Sequence, residues 1–167
     1  RIFEFNPSMK MVVLLRNPIY RALSAWSMFH YHFKSGKRSK LHDPRSFAEA
    51  IEQDLKTVNQ EWNRNKRSYV LRGHYADQIS RYLEYFSEEQ LLILESGDLR
   101  ESFDSTLSQI FEFVGVRNVK LKPVIANKSR ANDTLDHTET FQLLSNYYAE
   151  PNEKLFELLG RKFNWSI

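Results

Sequence analysis

The sequence predicts an α/β fold in which a parallel sheet is flanked by helices. Apolar runs of strand length occur at residues 9–15 and 90–96. Each run is followed by a segment whose apolar residues recur every three or four positions, as in an amphipathic helix. Strands that alternate with helices form parallel sheets. Two strands are too few for a complete sheet, so we expect further N-terminal strands before residue 1 in a longer chain.

The first strand and the first helix follow directly from their residues. The run "MKMVVLL" is β-branched at its centre and suits a strand that is buried on both faces. Asn17 is a favourable N-cap and Pro18 a favourable first helical residue, so the helix should begin there and end before Ser35. The expected buried face consists of Ile19, Leu23, Trp26, His30 and Phe33.

The remaining elements are predicted from the same spacing rules. Gly115 should stop one helix and Pro151 should break another. Residues 121–134 should form a loop. The further helices are predicted, in chain order, at residues 43–58, 75–86, 103–115, 138–149 and 152–160.

Composition excludes several classes of protein. The 167 residues include 24 basic and 21 acidic side chains, and this net charge of +3 is too small to indicate a nucleic-acid partner. The absence of cysteine excludes disulfides and thiolate metal sites and favours a reducing compartment. No run of eighteen apolar residues occurs, so we predict no membrane segment. We expect residues 1–167 to form one partial domain that binds no metal.

The junction between the first strand and the first helix has the chemistry of an anion site. Ligands of open parallel sheets bind beyond the carboxyl ends of the strands, where Arg16 lies. Ser24 follows two helical turns later. A guanidinium offers a bidentate fork to a phosphate, and a hydroxyl offers one neutral donor. The spacing alone leaves another interpretation open, in which Arg16 pairs with a carboxylate and Ser24 has no role.

The same segment resembles a known motif. The sequence "LLRNPIYRALSAW" is similar to the 3′-phosphate-binding motif of the sulfotransferases that use PAPS, 3′-phosphoadenosine 5′-phosphosulfate. In that family the first arginine and the serine hold the 3′-phosphate, which implies this role for Arg16 and Ser24. Arg21 matches the second arginine of the motif, and we expect it to be structural. Residues 72–116 and 152–165 resemble segments of the heparan sulfate sulfotransferase group in the same order. The resemblance implies a P-loop-NTPase-like fold.

Two departures from the family pattern concern the cofactor. The group usually has Lys-Gly-Arg in a loop over the cofactor phosphates, and this chain has Lys128, Ser129 and Arg130, to which we assign a cofactor contact. The alternative is a solvated basic loop. The family's phosphosulfate loop with its lysine, and its usual catalytic glutamate, have no counterpart in residues 1–167. The pair Gly36-Lys37 is no substitute, because it follows a helix and lacks the earlier glycine of a P-loop.

Four residues are weaker candidates for catalysis or acceptor binding. His32 lies about 80° from Ser24 on a helical wheel, so it could face the same cleft as a base, and His74 is a second candidate. Tyr75 matches the Gly-x-Tyr position of the group, and Trp62 lies in a polar segment where its ring could stack on a sugar. The alternative for His32 is an ordinary, partly exposed histidine near the end of a helix.

These observations predict a sulfotransferase that moves a sulfuryl group from PAPS to a hydroxyl or amine of a small molecule or glycan. The product would be adenosine 3′,5′-bisphosphate. The alternatives are a catalytically incomplete nucleotide-binding or scaffold module and a P-loop kinase-like phosphotransferase. The lack of cysteine favours a bacterial cytoplasm over a Golgi lumen.

Overall fold

The computed structural model describes residues 1–34, with side chains to residue 31, and residues 42–58, 68–124 and 137–165. The two strands are β1 (Met11–Leu15) and β2 (Leu91–Glu95). Short 3₁₀ turns span Leu71–Gly73 and Glu88–Gln90. The helices are α1 (Ile2–Phe5), α2 (Pro18–Lys34), α3 (Phe47–Thr57), α4 (Tyr75–Leu83), α5 (Asp98–Glu101), α6 (Phe103–Val114) and α7 (Thr138–Leu159).

The chain divides into two compact units, so the expectation of one domain over residues 1–167 stays a prediction. One unit contains Arg1–Arg16 and Ala76–Ala126, and the other contains Asn17–Tyr75 and Asn127–Ile167. The first unit holds both strands, which pair in parallel from Met11 opposite Leu91 to Leu15 opposite Glu95. This pairing confirms the predicted parallel arrangement.

The expectation that β1 is buried on both faces is wrong for the described part of the chain. Leu15 is buried, but Val12 and Leu14 are 36% and 48% exposed. Successive side chains of a strand point to opposite faces of the sheet, so this alternation means that one face of β1 is covered and the other is not.

The second unit is built around α2, α3 and α7. The predicted apolar stripe of α2 is confirmed at Ile19 and Trp26, which are buried in its core. Helix α3 contributes Phe47 and Ile51 to the same core, and α7 contributes Leu144 and Tyr148. Within the described ranges, none of the helices combines the length and apolar character needed to cross a lipid bilayer.

Two predicted helix boundaries are corrected by the structure. Helix α3 begins at Phe47 rather than at residue 43, because Ser46 and Glu49 form a capping box that ends the preceding turn. Helix α7 continues through Pro151, where a break was expected. Leu144, Tyr148 and Leu155 lie along one buried face of α7, and their packing holds the helix together across the position that lacks a backbone N–H.

Candidate functional site

The turn between β1 and α2 has the predicted capping chemistry. Asn17 is buried, and its Oδ1 accepts a hydrogen bond from the backbone N–H of Ile19 at 2.9 Å. The N–H of Arg21 donates to the Asn17 carbonyl at 2.9 Å as the first helical bond. The Asn-Pro dipeptide therefore ends the extended chain and starts the helix that carries Ser24.

The two residues assigned to phosphate binding are both half-buried. Arg16 follows β1 directly and is the last residue of the first compact unit, whereas Ser24 lies in α2 of the second unit. Partial burial leaves each side chain accessible to a ligand. Their joint contact with one phosphate stays a prediction.

The second arginine of the motif has a different environment. One terminal nitrogen of Arg21 donates to the carbonyl of Tyr69, so its partner is a backbone oxygen rather than a carboxylate. Within the described part of the chain, its Nε is buried without a hydrogen-bond partner. Arg21 thereby links α2 to the turn before the Leu71–Gly73 segment, which is consistent with the structural role expected for it.

Pro18 and Gly73, more than fifty residues apart in the sequence, meet in the second unit. A Cβ atom at Gly73 would stand 2.8 Å from the Cβ of Pro18, so only glycine fits against the first residue of α2. The same added Cβ atom would also meet the hydroxyl of Tyr148, which donates to the carbonyl of Val70 at 2.7 Å. Burial raises the pKa of Tyr148, so this phenol stays protonated as a donor.

The residues after Gly73 include two of the weaker candidates. The Nε2 of His74 lies 2.7 Å from the hydroxyl of Tyr147, within hydrogen-bond distance. An imidazole and a phenol at this distance can hold or exchange a proton. Tyr75 is 8% exposed, and its ring meets Trp165 edge-on at 5.9 Å between centroids. Most of the Tyr75 ring is therefore engaged in packing.

A buried polar network that the sequence analysis did not predict lies in front of α3. Asp43 is fully buried, and its carboxylate accepts hydrogen bonds from Arg45 and from the hydroxyl of Tyr69 at 2.8 Å. Burial alone would raise the pKa of Asp43, but these hydrogen bonds outweigh it and lower the pKa to about 2. The backbone of this turn also binds α2, because Trp26 Nε1 donates to the Arg45 carbonyl at 3.0 Å.

A second carboxylate fixes the turn that carries Tyr69 and Val70. Asp54 of α3 accepts hydrogen bonds from both of their backbone N–H groups. Burial raises the pKa of Asp54 above its ordinary value, in opposition to these hydrogen bonds. Sequence spacing alone could not predict this contact, because residues 54 and 69 belong to different elements.

Several predicted site residues lie outside what the structure describes. Trp62, Lys128, Ser129 and Arg130 fall in ranges that are not described, and so does the side chain of His32, although its backbone belongs to α2. Among the described residues, the His, Asp and Glu side chains form no group of three that could hold a metal ion.

Comparison with known proteins gives consistent results. The family model described as sulfotransferase domain matches residues 3–157. The chain is 26% identical to the mouse "Bifunctional heparan sulfate N-deacetylase/N-sulfotransferase 4", with 96% of this chain and 20% of that protein covered. It is 25% identical to mouse "Carbohydrate sulfotransferase 15", with coverages of 98% and 32%.

A solved structure supports the fold. The crystal structure of a sulfotransferase from Alicyclobacillus acidocaldarius superposes with a TM-score of 0.73 at 22% identity and covers 98% of this chain and 60% of that one. The chain spans no more than a third of the length of the two mouse relatives. The family match extends over nearly all of the residues, including both strands and the junction at Arg16. The chain therefore belongs to the sulfotransferase domain family.

Proposed function

We propose that this domain acts in sulfuryl transfer from PAPS to a hydroxyl or amine acceptor, with adenosine 3′,5′-bisphosphate as the product. The observation that carries the proposal is the strand-arginine-helix junction, which lies inside the matched family region and ends in a capped helix packed against Gly73. The kinase-like and scaffold alternatives have no comparable feature that favours them.

The residues present fit the 3′-phosphate that distinguishes this donor from ordinary nucleotides. Arg16 would supply charge and a bidentate fork, and Ser24 would donate one hydrogen bond. Both residues are half-buried, so part of their surface remains accessible to a ligand. Lys128, Ser129 and Arg130, which precede α7 in the sequence, would add contacts to the phosphates.

PAPS supplies the activated sulfuryl group. Transfer of such a group depends mainly on positioning and on stabilisation of charge. We assign neither stabilisation of the leaving oxygen nor the role of the family's usual catalytic glutamate to a residue of this chain. Within this chain, the pair of His74 and Tyr147 is the best described candidate for holding or moving a proton of the acceptor.

The acceptor is proposed to be a small molecule or a glycan. Two relatives have heparan sulfate or carbohydrate in their names, which supports a sugar hydroxyl or amine. Tyr75 and Trp62 are proposed as acceptor contacts, Tyr75 by the polar end of its ring and Trp62 by stacking. His32 is a second candidate base. We place the protein in the bacterial cytoplasm, with a Golgi lumen as the alternative compartment.

Thermal unfolding with nucleotide ligands tests the proposal. A ligand at a hundred times its dissociation constant stabilises the folded state by about 2.7 kcal/mol. Adenosine 3′,5′-bisphosphate should therefore raise the melting temperature of the full-length protein, and adenosine 5′-monophosphate at the same concentration should raise it much less. Equal shifts from the two ligands would contradict a 3′-phosphate site.

A further inference from the structure

The segment that follows α7, residues 160–165, folds back on the second unit. Gly160 has φ of +62°, and the N–H of Arg161 donates to the carbonyl of Phe156 at 3.2 Å, which reverses the chain after the helix. The rings of Phe163 and Trp165 then stack with centroids 4.9 Å apart and planes 8° apart. The guanidinium of Arg161 covers the Phe163 ring at 4.9 Å.

This segment contacts the last turns of α7, the first residue of α4 and the turn before α2. The Trp165 ring packs against Phe156 of α7 at 5.7 Å and against Tyr75, the first residue of α4, at 5.9 Å. Its carbonyl oxygen accepts a hydrogen bond from Nδ2 of Asn17 at 3.3 Å. Residues 160–165 are therefore attached to the turn that begins α2.

The side chain of Asn17 thus serves two partners with two different atoms. Its Oδ1 caps α2 at the N–H of Ile19, and its Nδ2 reaches Trp165. Aspartate or serine at this position would keep a capping oxygen, but neither can donate an N–H to the Trp165 carbonyl. The cap alone does not require an amide, whereas the contact with Trp165 does.

We infer that the Asn17 amide is a positioning group that ties residues 160–165 to the first turn of α2 and so holds Ser24 in its orientation toward the ligand. Ser24 lies two turns from Asn17 on the same continuous helix, so a shift of the first turn is carried to its hydroxyl. The role toward the ligand rests on the proposed function, because it requires a 3′-phosphate at Ser24.

The test uses variants that keep the cap and remove the tie. Asn17→Asp and Asn17→Ser are compared with the unaltered full-length protein, and the serine variant separates loss of the amide from the addition of a negative charge. Asn164→Asp is the matched control, because it adds the same charge to an exposed residue of the segment. Hydrogen exchange is measured in peptides covering residues 156–165 and 17–24. Calorimetry measures the dissociation constants of adenosine 3′,5′-bisphosphate and adenosine 5′-monophosphate.

We expect faster exchange in both peptides for the two Asn17 variants and no change for Asn164→Asp. The affinity for adenosine 3′,5′-bisphosphate should fall about threefold to tenfold, which corresponds to one lost hydrogen bond, with little change for the monophosphate. Unchanged exchange in residues 156–165 would overturn the tie, and faster exchange with unchanged bisphosphate affinity would overturn the positioning role. Failure of the unaltered protein to prefer the bisphosphate would instead overturn the proposed function, and the exchange comparison would still decide whether the tie exists.

Discussion

The backbone of Gly73 lies so close to Tyr148 that a Cβ atom at position 73 would stand 2.6 Å from the Tyr148 hydroxyl oxygen. The hydroxyl is held in place by its hydrogen bond to the carbonyl of Val70. It cannot turn away without breaking this hydrogen bond of a buried hydroxyl. The contact fixes the turn before α4 against α7 within one compact unit.

Gly73→Ala should therefore destabilise the protein. The added methyl group would clash with both Pro18 and Tyr148, and overpacking of this kind typically costs about 1–3 kcal/mol. Gly97→Ala is the matched control, because the nearest atom to its added Cβ would be 3.8 Å away. Urea unfolding of the two variants measures the difference. Equal stability of both variants would contradict the close approach at Gly73.

Asp43→Asn should remove part of the acid sensitivity of the fold. The pKa of Asp43 in the folded state is about 2, below its ordinary value of 3.8. Its carboxylate therefore adds stability above pH 3.8, and this contribution is lost as the pH falls toward 2. The raised pKa of Asp54 acts in the opposite sense, because a protonated Asp54 adds stability that is lost as the pH rises through its folded pKa.

Urea unfolding as a function of pH measures this effect. At pH 7 the variant should be less stable by about 2–3 kcal/mol, as expected for hydrogen bonds to a charged group. The difference from the unaltered protein should shrink between about pH 4 and pH 2. Glu112→Gln, at an exposed position of α6, should change stability by no more than about 0.5 kcal/mol. A difference for Asp43→Asn that does not depend on pH would contradict the lowered pKa.

Ser24→Ala and Arg16→Ala should each weaken the binding of adenosine 3′,5′-bisphosphate. Loss of one hydrogen bond to a charged group costs about 1.5–3 kcal/mol, or roughly tenfold or more in the dissociation constant. Ser27→Ala is the control for the serine, since it lies on the same helix at a similarly half-buried position. Arg100→Ala, at an exposed position of the first unit, is the control for the arginine. Unchanged affinity in the two site variants would contradict the assignment of Arg16 and Ser24 to the 3′-phosphate.

Tyr147→Phe should separate a proton-handling role of His74 from simple packing. The ring is retained and the hydrogen bond to His74 is lost, so stability should fall by only about 0.5–1.5 kcal/mol. If His74 acts on the acceptor, kcat should fall and the KM for PAPS should stay the same. Tyr20→Phe is a control, because it likewise removes a tyrosine hydroxyl, here from a partly exposed ring that packs on Phe141 of α7. An equal effect of both substitutions on kcat would remove this role from the pair.

Local signals predicted most of the elements but few of the contacts between them. The apolar run of β1, the Asn-Pro start of α2 and the glycine at the end of α6 are properties of a few adjacent residues, and the structure confirms them. The break at Pro151 was wrong because burial of Tyr148 and Leu155 outweighs the helix propensity of a single residue.

The same limit applies to the candidate site, where local signals indicated individual residues but not the contacts between them. The sequence motif predicts a ligand contact for Arg16 and Ser24, and this stays a prediction. It did not indicate that Pro18 meets Gly73 or that Asn17 reaches Trp165. Those contacts join residues 55 to 148 positions apart, and no periodicity of the chain encodes them. The network at Asp43 was missed because a buried carboxylate and a solvated one look alike in sequence.

The continuity of α7 has a mechanical consequence. Its 22 residues form a rod of about 33 Å, at 1.5 Å for each residue. The stretch with Lys128 and Arg130 precedes this rod, and the stacked rings of Phe163 and Trp165 follow it. Two short helices joined at Pro151 could change the angle between them when one of them moves. One continuous helix moves as a single body, so a displacement of its first turn also displaces its last turn.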